Sequence, residues 1–479
     1  MKNIKHRKLD AIVILLIIAI VVTPVDDLPF FNQILLGVSI RMAAFPLIIA
    51  IFLFWWGSLF HEREFPHHIS KGLLGLFIIW SGITVLVNWQ EILFNTTKGL
   101  NGLDRVISQF ALLIIMFFSS FVVYYVMKYN WRENGLFIFR KYVLISFLII
   151  GLYSSIEIFS VLGEPSARQI ILEMSMVVHS GIYYLTQIRS LCAEPAWFGI
   201  YMAFAFPWLC SYLLAERHNK LFYILIFIYA LILVYFTQSR TAYFIVTAEA
   251  IAFFIILITR MKRVARKGII SVCIILLLGI SMVAIIYPEV LTDRGYSVFL
   301  SLLDPNQAEY LGQSRPFLLS NSTRFGSLQI ALNMGLDHLI AGVGLGQYGF
   351  YLPYYITDDL SSNPEMTFAA STLPGTWWAP AHNLFARYFA ETGIIGLSLL
   401  LAIWITLIRG CWRTHRMLSE SSYEKLDLIG SSFIICILGT LACGLAADTF
   451  RFVGYWFVLG IGWYFIELPD IIKNSKLSA

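Results

Sequence analysis

Long apolar runs, separated by short polar segments, recur along the whole chain. About twelve of them approach roughly 20 residues, the length that an α-helix needs to cross the hydrocarbon core of a bilayer. They cover residues 9–25, 38–60, 72–89, 106–128, 141–162, 197–215, 220–238, 240–259, 268–287, 391–409, 429–447 and 451–469. Because a lipid-exposed backbone must satisfy its own hydrogen bonds, the pattern predicts an all-α, polytopic membrane protein.

The longest polar interval follows the ninth run and predicts a large helical loop. The chain then divides into residues 1–287 with nine spans, the loop 288–390, and residues 391–479 with three spans. Within the loop we predict a helix that starts after Ser322, then a turn-rich segment over 358–374, then a second helix that begins near His382. The run Gly342-Val-Gly-Leu-Gly346 lacks the spacing of a nucleotide-binding fingerprint and predicts a close-packed turn.

Lys and Arg are distributed unevenly between the connecting segments. Of the 34, 23 fall on one side of the predicted bilayer and 10 on the other, while Arg41 falls within the second run. Because basic residues are retained on the cytoplasmic side, we predict that both termini are cytoplasmic and that the segments 163–196 and 288–390 face outward. No small-residue cleavage site follows the first run, so we interpret it as a span and not as a cleaved signal peptide.

The composition argues against several classes of binding partner for this chain. The chain is 58% hydrophobic and 13% charged, whereas soluble domains carry roughly a quarter charged residues. The net charge of +5 does not indicate a nucleic-acid partner, because the basic residues lie in short loops and form no single patch. The six Cys are scattered, and the outward segments contain no Asp-x-Asp pair or Cys/His spacing typical of a metal site. We therefore predict neither a metal nor a cofactor.

Several arginines stand in outward segments, where positive charge is disfavoured. One interpretation is structural: they extend to lipid headgroups or pair with acidic residues such as Glu194, Asp448 or Glu391. The other is a cationic pocket for a pyrophosphate, because guanidinium groups bind phosphate oxygens in a bidentate fork. The candidates are Arg189, Arg240, Arg324 and Arg451.

The start of the second loop helix carries the strongest candidate for acid–base chemistry. A neutral His382 could accept a proton from a hydroxyl group, although a single His is more often structural. Asn383 could contact a sugar or orient His382, and Trp377 and Trp378 are suited to stacking on sugar rings. Glu194, just before the sixth span, is either a partner for an outward Arg or a second catalytic group.

These segments together resemble the bacterial O-antigen ligase and O-antigen polymerase superfamily. The resemblance rests on Ser239-Arg240-Thr-Ala, Thr323-Arg324-Phe, the 341–346 turn and His382-Asn383-Leu followed by Glu391-Thr-Gly-Ile-Ile-Gly396. It implies a metal-independent, GT-C-like glycosyltransferase in the bacterial inner membrane, with a periplasmic active site. It also implies that Arg240 and Arg324 bind the pyrophosphate of an undecaprenyl-diphosphate-linked glycan and that His382 activates or orients the acceptor hydroxyl, with inversion.

The resemblance leaves three functions open. A polymerase would transfer the glycan chain to a lipid-linked repeat unit, with a chain-length regulator protein as a further partner. A ligase would transfer it to the lipid A core. A flippase or transporter for the lipid-linked glycan would instead carry ionisable residues within its spans. Glu194, in its Glu-Pro context, resembles the polymerase branch, so we expect a polymerase.

Overall fold

The structure is a computed structural model, and it describes residues 2–29, 41–58, 65–180, 184, 186–216, 218–260, 315–374, 378, 380–420, 423–447 and 449–477. Across these residues the architecture is helical, apart from one pair of two-residue strands. The chain is therefore an all-α polytopic membrane protein, as its apolar pattern predicts.

The α-helices of the described residues are numbered in chain order. The first ten are α1 (Lys2–Val21), α2 (Ala44–Ser58), α3 (Ile69–Val87), α4 (Trp89–Phe94), α5 (Gly102–Tyr125), α6 (Gly135–Val161), α7 (Pro165–Val178), α8 (Pro195–Ala215), α9 (Lys220–Thr237) and α10 (Arg240–Arg260). The others are α11 (Arg315–Asp337), α12 (Tyr348–Tyr351), α13 (Asp358–Ser361), α14 (Pro364–Ala370), α15 (Leu384–Ser419), α16 (Glu424–Cys443) and α17 (Val453–Leu477). A π-helix (Val126–Trp131) and 3₁₀ turns at Arg132–Asn134, Leu352–Tyr354 and Thr449–Arg451 complete the helical elements.

The predicted spans correspond closely to helices. Each coincides with one of α1, α2, α3, α5, α6, α8, α9, α10, α15, α16 and α17, except the ninth, 268–287, which lies outside the described residues. Among the described residues, eight helical runs are long and apolar enough to cross a bilayer, and one of them contains both α5 and α6. The helices α1 and α2 contribute shorter apolar stretches.

Two predicted boundaries are wrong, and a third is nearly right. The first loop helix, α11, runs from Arg315 to Asp337, so it already includes Ser322 and does not start after it. The second loop helix and the tenth span are joined within α15, but the helix is kinked at Gly393, two residues from the predicted start of the tenth span at residue 391. Arg41 precedes α2 and does not lie within a span.

The spanning helices divide into a central and a peripheral group. The residues of α8 and α16 are mostly buried, and α8 packs against α9, α10 and α16. By contrast, α9 buries mainly Ile226, Ala230, Leu233 and Val234 and exposes further Leu, Ile and Phe side chains. An exposed face that is as apolar as the buried one is typical of a helix in contact with lipid.

A second, smaller core lies at one end of the bundle. Ile330 and Met334 of α11, Met366 of α14, and Tyr348 of α12 pack there against the first turns of α15. We call the described residues 315–374 the cap. A hairpin of β1 (Thr96–Thr97) and β2 (Leu100–Asn101) fastens the cap to the bundle, because Lys98 donates through its backbone N–H to Thr372 and through Nζ to the Ala369 carbonyl at 2.7 Å.

Candidate active site beneath the cap

Two glycine-containing segments interlock at the base of the cap. In α15 the helix breaks at Gly393, where φ is 65° and ψ is −168°. The break exposes the carbonyls of Ala390 and Glu391, which accept hydrogen bonds from the backbone N–H groups of Val343 and Gly344 at 2.9 and 3.0 Å. The 341–346 run is therefore a close-packed turn, as predicted, and its partner is the broken helix.

Glycine is required at this junction because the two backbones approach too closely for a side chain. A Cβ at Gly342 would lie 2.4 Å from the carbonyl carbon of Glu391, and one at Gly393 would lie 2.2 Å from the carbonyl oxygen of Ile340. Both glycines also have positive φ. The junction fixes the N-terminal turns of α15, which carry Arg387 and directly follow His382, against the cap.

The segment before α15 holds His382 in a defined position. Asn383 is the N-cap of α15: its side chain accepts a hydrogen bond from Ala386 N–H and donates one to the Leu445 carbonyl. Ala381 is fully buried, and the backbone N–H of Leu384 donates to the Gly444 carbonyl at 2.7 Å. His382 therefore lies between two anchored neighbours, and its own φ is 51°.

A cavity of about 690 Å³ opens between the cap, the segment before α15 and the ends of α8, α10 and α16. We call it the polar pocket. Its lining includes three arginines, one histidine and two glutamates from five separate parts of the chain. The residues that line it are Glu194, Ala196, Trp197, Ile200, Thr241, Thr323, Arg324, Pro364, Glu365, Phe368, Trp378, Pro380, His382, Arg387, Ala446, Ala447 and Arg451.

Opposite charges face one another across this pocket. Burial lowers the pKa of the Arg324 guanidinium, while the carboxylates of Glu194 and Glu365 act to raise it. Burial raises the pKa of the Glu194 carboxyl, and the charge of Arg324 opposes that shift most strongly. Arg240, at the start of α10, is within electrostatic range of Arg324, although it does not line the pocket itself. The site can therefore present positive charge to an anion beside a carboxyl group with an elevated pKa.

Arg387 adds a further cation, one turn beyond His382, and it is held from behind. Its Nε donates to Glu391 at 3.1 Å, and its Nη2 donates to the Gln109 side chain of α5 at 3.3 Å. Glu391 is fully buried and also accepts from the backbone N–H of Tyr348. Glu391 therefore pairs with Arg387, which is not one of the four arginines considered as its partner in the sequence analysis.

An ion pair supports the opposite wall. Arg41 pairs with Asp26 and lies over the ring of Trp197, 3.9 Å from the ring centroid. The Asp26 carboxylate also accepts a hydrogen bond from the backbone N–H of Ala193, the residue that precedes Glu194. Asp26 and Arg41 thus fix the segment that presents Glu194 and Trp197 to the pocket, and no sequence motif pointed to them.

The remaining predicted site residues differ in whether they reach the polar pocket. Arg189 is buried and contacts Asp27 at 3.3 Å and the Ala193 carbonyl, so it does not reach the pocket lining. Asn383 acts as a helix cap and borders a neighbouring apolar cavity. Trp377 and Asp448 lie outside the described residues. Trp378 lines the pocket and stacks on Arg105, whose Cζ is 4.4 Å from the ring centroid.

The interior of the spans contains a carboxyl group that the charge pattern did not single out. Glu249, near the middle of α10, is only 4% exposed, and no hydrogen bond to its carboxylate is present among the described residues. It packs against Gly439 of α16. Glu249 is not among the residues that line the polar pocket.

A bundle of membrane-spanning helices with a charged pocket under a helical cap defines the class of this chain as a polytopic membrane protein with a site at one end of the bundle. No curated protein matches the chain. Residues 225–401 match the family model described as O-antigen ligase, which identifies this part of the chain as a domain of the O-antigen ligase and polymerase superfamily. The match includes Arg240, Arg324, His382, Arg387 and both glycine segments.

Proposed function

We propose that the chain is a polysaccharide polymerase that transfers an undecaprenyl-diphosphate-linked glycan to a lipid-linked repeat unit at the periplasmic face. The observation that carries this proposal is the convergence of Arg324, Arg387 and Arg451 with His382 and Glu194 on one pocket. The family match supports the chemistry of the ligases and polymerases, and the pocket lining offers residues for both halves of a glycosyl transfer.

The donor half requires stabilisation of a leaving pyrophosphate. As the bond between the anomeric carbon and the phosphate oxygen breaks, its electron pair stays on that oxygen, and negative charge develops there. Arg324 and Arg451 provide guanidinium groups at the pocket, with Arg240 close by. Fixed cations placed where charge develops stabilise the transition state more than the ground state.

The acceptor half requires removal of a hydroxyl proton. A neutral imidazole at His382 would take the proton while the acceptor oxygen bonds to the anomeric carbon from the face opposite the pyrophosphate, which gives inversion. Glu194 lies on the same pocket and provides a second group that could bind the acceptor hydroxyl. Trp378 offers a ring surface for a sugar.

A reconstituted transfer assay tests the proposal. Purified protein in detergent would be incubated with lipid-linked repeat units, and products would be separated by length. We expect Arg324→Lys to lose at least about tenfold in rate, because an ammonium group cannot form the bidentate contact. The matched control is Arg413→Lys, on the part of α15 far from the pocket. Undiminished polymer from Arg324→Lys would contradict the role of Arg324 as a pyrophosphate ligand.

The ligase is the main alternative, and the description of the family model favours it. The two functions differ in acceptor, so the same assay would include lipid A core as a competing acceptor. Transfer to the core without elongation of repeats would assign the ligase. A flippase is the further alternative, which Glu249 inside α10 favours. Elongation by the purified protein, in the absence of a bilayer, would exclude transport as its activity.

A further inference from the structure

One helix of the cap, α14, presents two side chains to the polar pocket. Glu365 and Phe368 stand one turn apart on the same face of this helix, and both line the pocket. The opposite face of α14 buries Met366 and Ala369 in the second, smaller core. No sequence motif pointed to either of the two pocket-lining residues, so their role follows from the structure alone.

Glu365 is held in place by a closed set of hydrogen bonds. The Thr323 hydroxyl donates to its Oε2 at 2.7 Å, and the Asn363 side chain donates to Thr323 Oγ1 at 3.1 Å. Asn363 is also the N-cap of α14 and accepts from the backbone N–H of Glu365 at 2.9 Å. Thr323 and Asn363 are both buried, so the carboxylate has a fixed position at the pocket. An ionised carboxylate accepts more than one hydrogen bond, and Glu365 therefore retains capacity for a ligand.

The position of Glu365 relates it to Arg324. Arg324 directly follows Thr323 in α11, lines the same pocket and is within electrostatic range of Glu365. A phosphate group bound by Arg324 therefore leaves the group attached to that phosphate beside Glu365. The carboxylate repels a negative charge at this place, whereas it accepts hydrogen bonds from hydroxyl or amino groups. This wall of the pocket thus favours an attached group that is not acidic.

Phe368 adds an apolar surface beside this acceptor. Its side chain is 46% exposed, although α14 is packed into the cap. An aromatic ring next to a hydrogen-bond acceptor matches a sugar, because a sugar has apolar C–H faces and polar edges. A bilayer does not account for the ring, because every exposed residue of α13 and α14 other than Pro364 and Phe368 is polar.

We propose that Glu365 and Phe368 form the subsite for the sugar that is attached directly to the pyrophosphate of the donor. The ring of Phe368 packs on a C–H face of this sugar, and Glu365 accepts a hydrogen bond from one of its hydroxyl or amino groups. The subsite therefore selects a neutral or amino sugar and disfavours a uronic acid at this position. The inference rests on the proposed function for the pyrophosphate at Arg324, and it adds the chemical class of the first sugar.

Binding of three probes separates the sugar from the pyrophosphate. The probes are undecaprenyl diphosphate and the same lipid diphosphate carrying one glucose or one glucuronic acid, each titrated into purified protein in detergent. Glucose and glucuronic acid differ only at C6, where a carboxylate replaces a hydroxymethyl group. We expect the unaltered protein to bind the glucose probe about tenfold more tightly than the glucuronic acid probe, because like charges that face one another weaken binding.

Two variants test the two residues separately. Glu365→Gln removes the negative charge but keeps an acceptor for the Thr323 hydroxyl, and we expect it to bind the glucuronic acid probe about tenfold more tightly than the unaltered protein does. Phe368→Leu should weaken binding of both sugar probes about tenfold and leave binding of the bare diphosphate unchanged. The matched controls are Asp359→Asn and Tyr354→Leu, which change an exposed carboxylate and an exposed ring of the cap outside the pocket lining.

Equal binding of the glucose and glucuronic acid probes by the unaltered protein would overturn the inference, and so would unchanged selectivity in Glu365→Gln. A loss in Phe368→Leu that is equally large for the bare diphosphate would assign the ring to the packing of the cap instead. Normal binding of undecaprenyl diphosphate without sugar selectivity refutes the subsite alone. The proposed function fails on a different result, namely no binding of any diphosphate probe, or full transfer activity in Arg324→Lys.

Discussion

His382 has a backbone φ of 51°, a left-handed conformation that residues with a Cβ adopt infrequently. The buried Ala381 and the cap formed by Asn383 hold it there. Strained backbone of this kind costs free energy and is concentrated at functional positions, where surrounding contacts over-determine it. The conformation aims one imidazole into a pocket that already contains the arginines.

Substitution of His382 by Asn distinguishes the contribution of the left-handed backbone from that of the imidazole. Asn tolerates the left-handed region, so His382→Asn should melt at the temperature of the unaltered protein, whereas His382→Ala should melt slightly lower. Both should lose about 10²- to 10⁴-fold in transfer rate, because the general base is absent. Parallel melting and transfer assays check this. A His382→Asn protein with normal transfer would remove His382 from the catalytic group.

Glu194 carries a stability penalty that depends on pH. Its pKa in the folded protein is raised by burial, so the folded state binds the proton more tightly than the unfolded state. Stability from this group is therefore present at low pH and is lost as pH rises from the ordinary carboxyl range to the raised value. We expect Glu194→Gln to melt a few degrees higher than the unaltered protein at neutral pH, with no difference at acidic pH. An equal difference at both pH values would show that the effect is not electrostatic.

The sequence identified several pocket residues but could not distinguish them from structural ones. Glu194, Arg324, Trp378, His382 and Arg451 do line one cavity. Arg189 also stands in an outward segment of the predicted topology, yet it pairs with the carboxylate of Asp27, which is far away in the chain. Such pairing depends on tertiary proximity, which one sequence does not reveal.

At the scale of elements, the break in α15 and the 341–346 turn form one unit. The turn donates its backbone N–H groups to carbonyls that the break sets free, so neither segment satisfies its hydrogen bonds without the other. Trp80 of α3 adds a hydrogen bond from Nε1 to the Thr392 carbonyl at 2.8 Å. This unit fixes the position of the cap relative to the first turns of α15, which carry Arg387 and directly follow His382.

Replacement of Gly342 by Ala tests the unit. The new Cβ would meet the backbone of Glu391 in a left-handed residue, so we expect a loss of about 1–3 kcal/mol in stability and a lower melting temperature. The matched control is Gly72→Ala in α3, where no heavy atom lies within 4 Å of the new Cβ. There the gain in helix propensity, about 0.5–1 kcal/mol, should leave the melting temperature equal or higher. Equal melting of both variants would contradict the interlocked arrangement.

Element positions were more predictable than element boundaries. Hydropathy located the described spans because each must match the bilayer thickness. The start of α11 was missed because Ser322, a residue type common at N-caps, lies within the helix. The kink in α15 was located to within two residues, but the hydrogen bonds that the cap donates to the free carbonyls at this kink depend on tertiary structure and could not be read from the sequence.

For the whole molecule, the spanning helices whose ends border the pocket can be oriented relative to it. The starts of α8 and α10 border it, as does the segment after α16, so Lys425 at the start of α16 lies at the opposite end. The helix α10 starts at the pocket end and runs away from it, whereas Thr323 and Arg324 of α11 lie at the pocket end again. The predicted ninth span, 268–287, stands between α10 and α11 in the sequence and would give an even number of crossings.

Cysteine accessibility tests this topology and the side of the pocket together. All native cysteines would first be replaced, and single cysteines would be introduced at Thr357 in the cap and at Lys425, both exposed. A membrane-impermeant maleimide applied to spheroplasts should label Thr357→Cys and not Lys425→Cys, because the Lys and Arg bias predicts that the pocket faces outward. Lys262→Cys should be protected and Asp304→Cys labelled if the segment 268–287 crosses the bilayer. Labelling of Lys425→Cys with protection of Thr357→Cys would invert the molecule and put the pocket in the cytoplasm, where a periplasmic polymerase could not work.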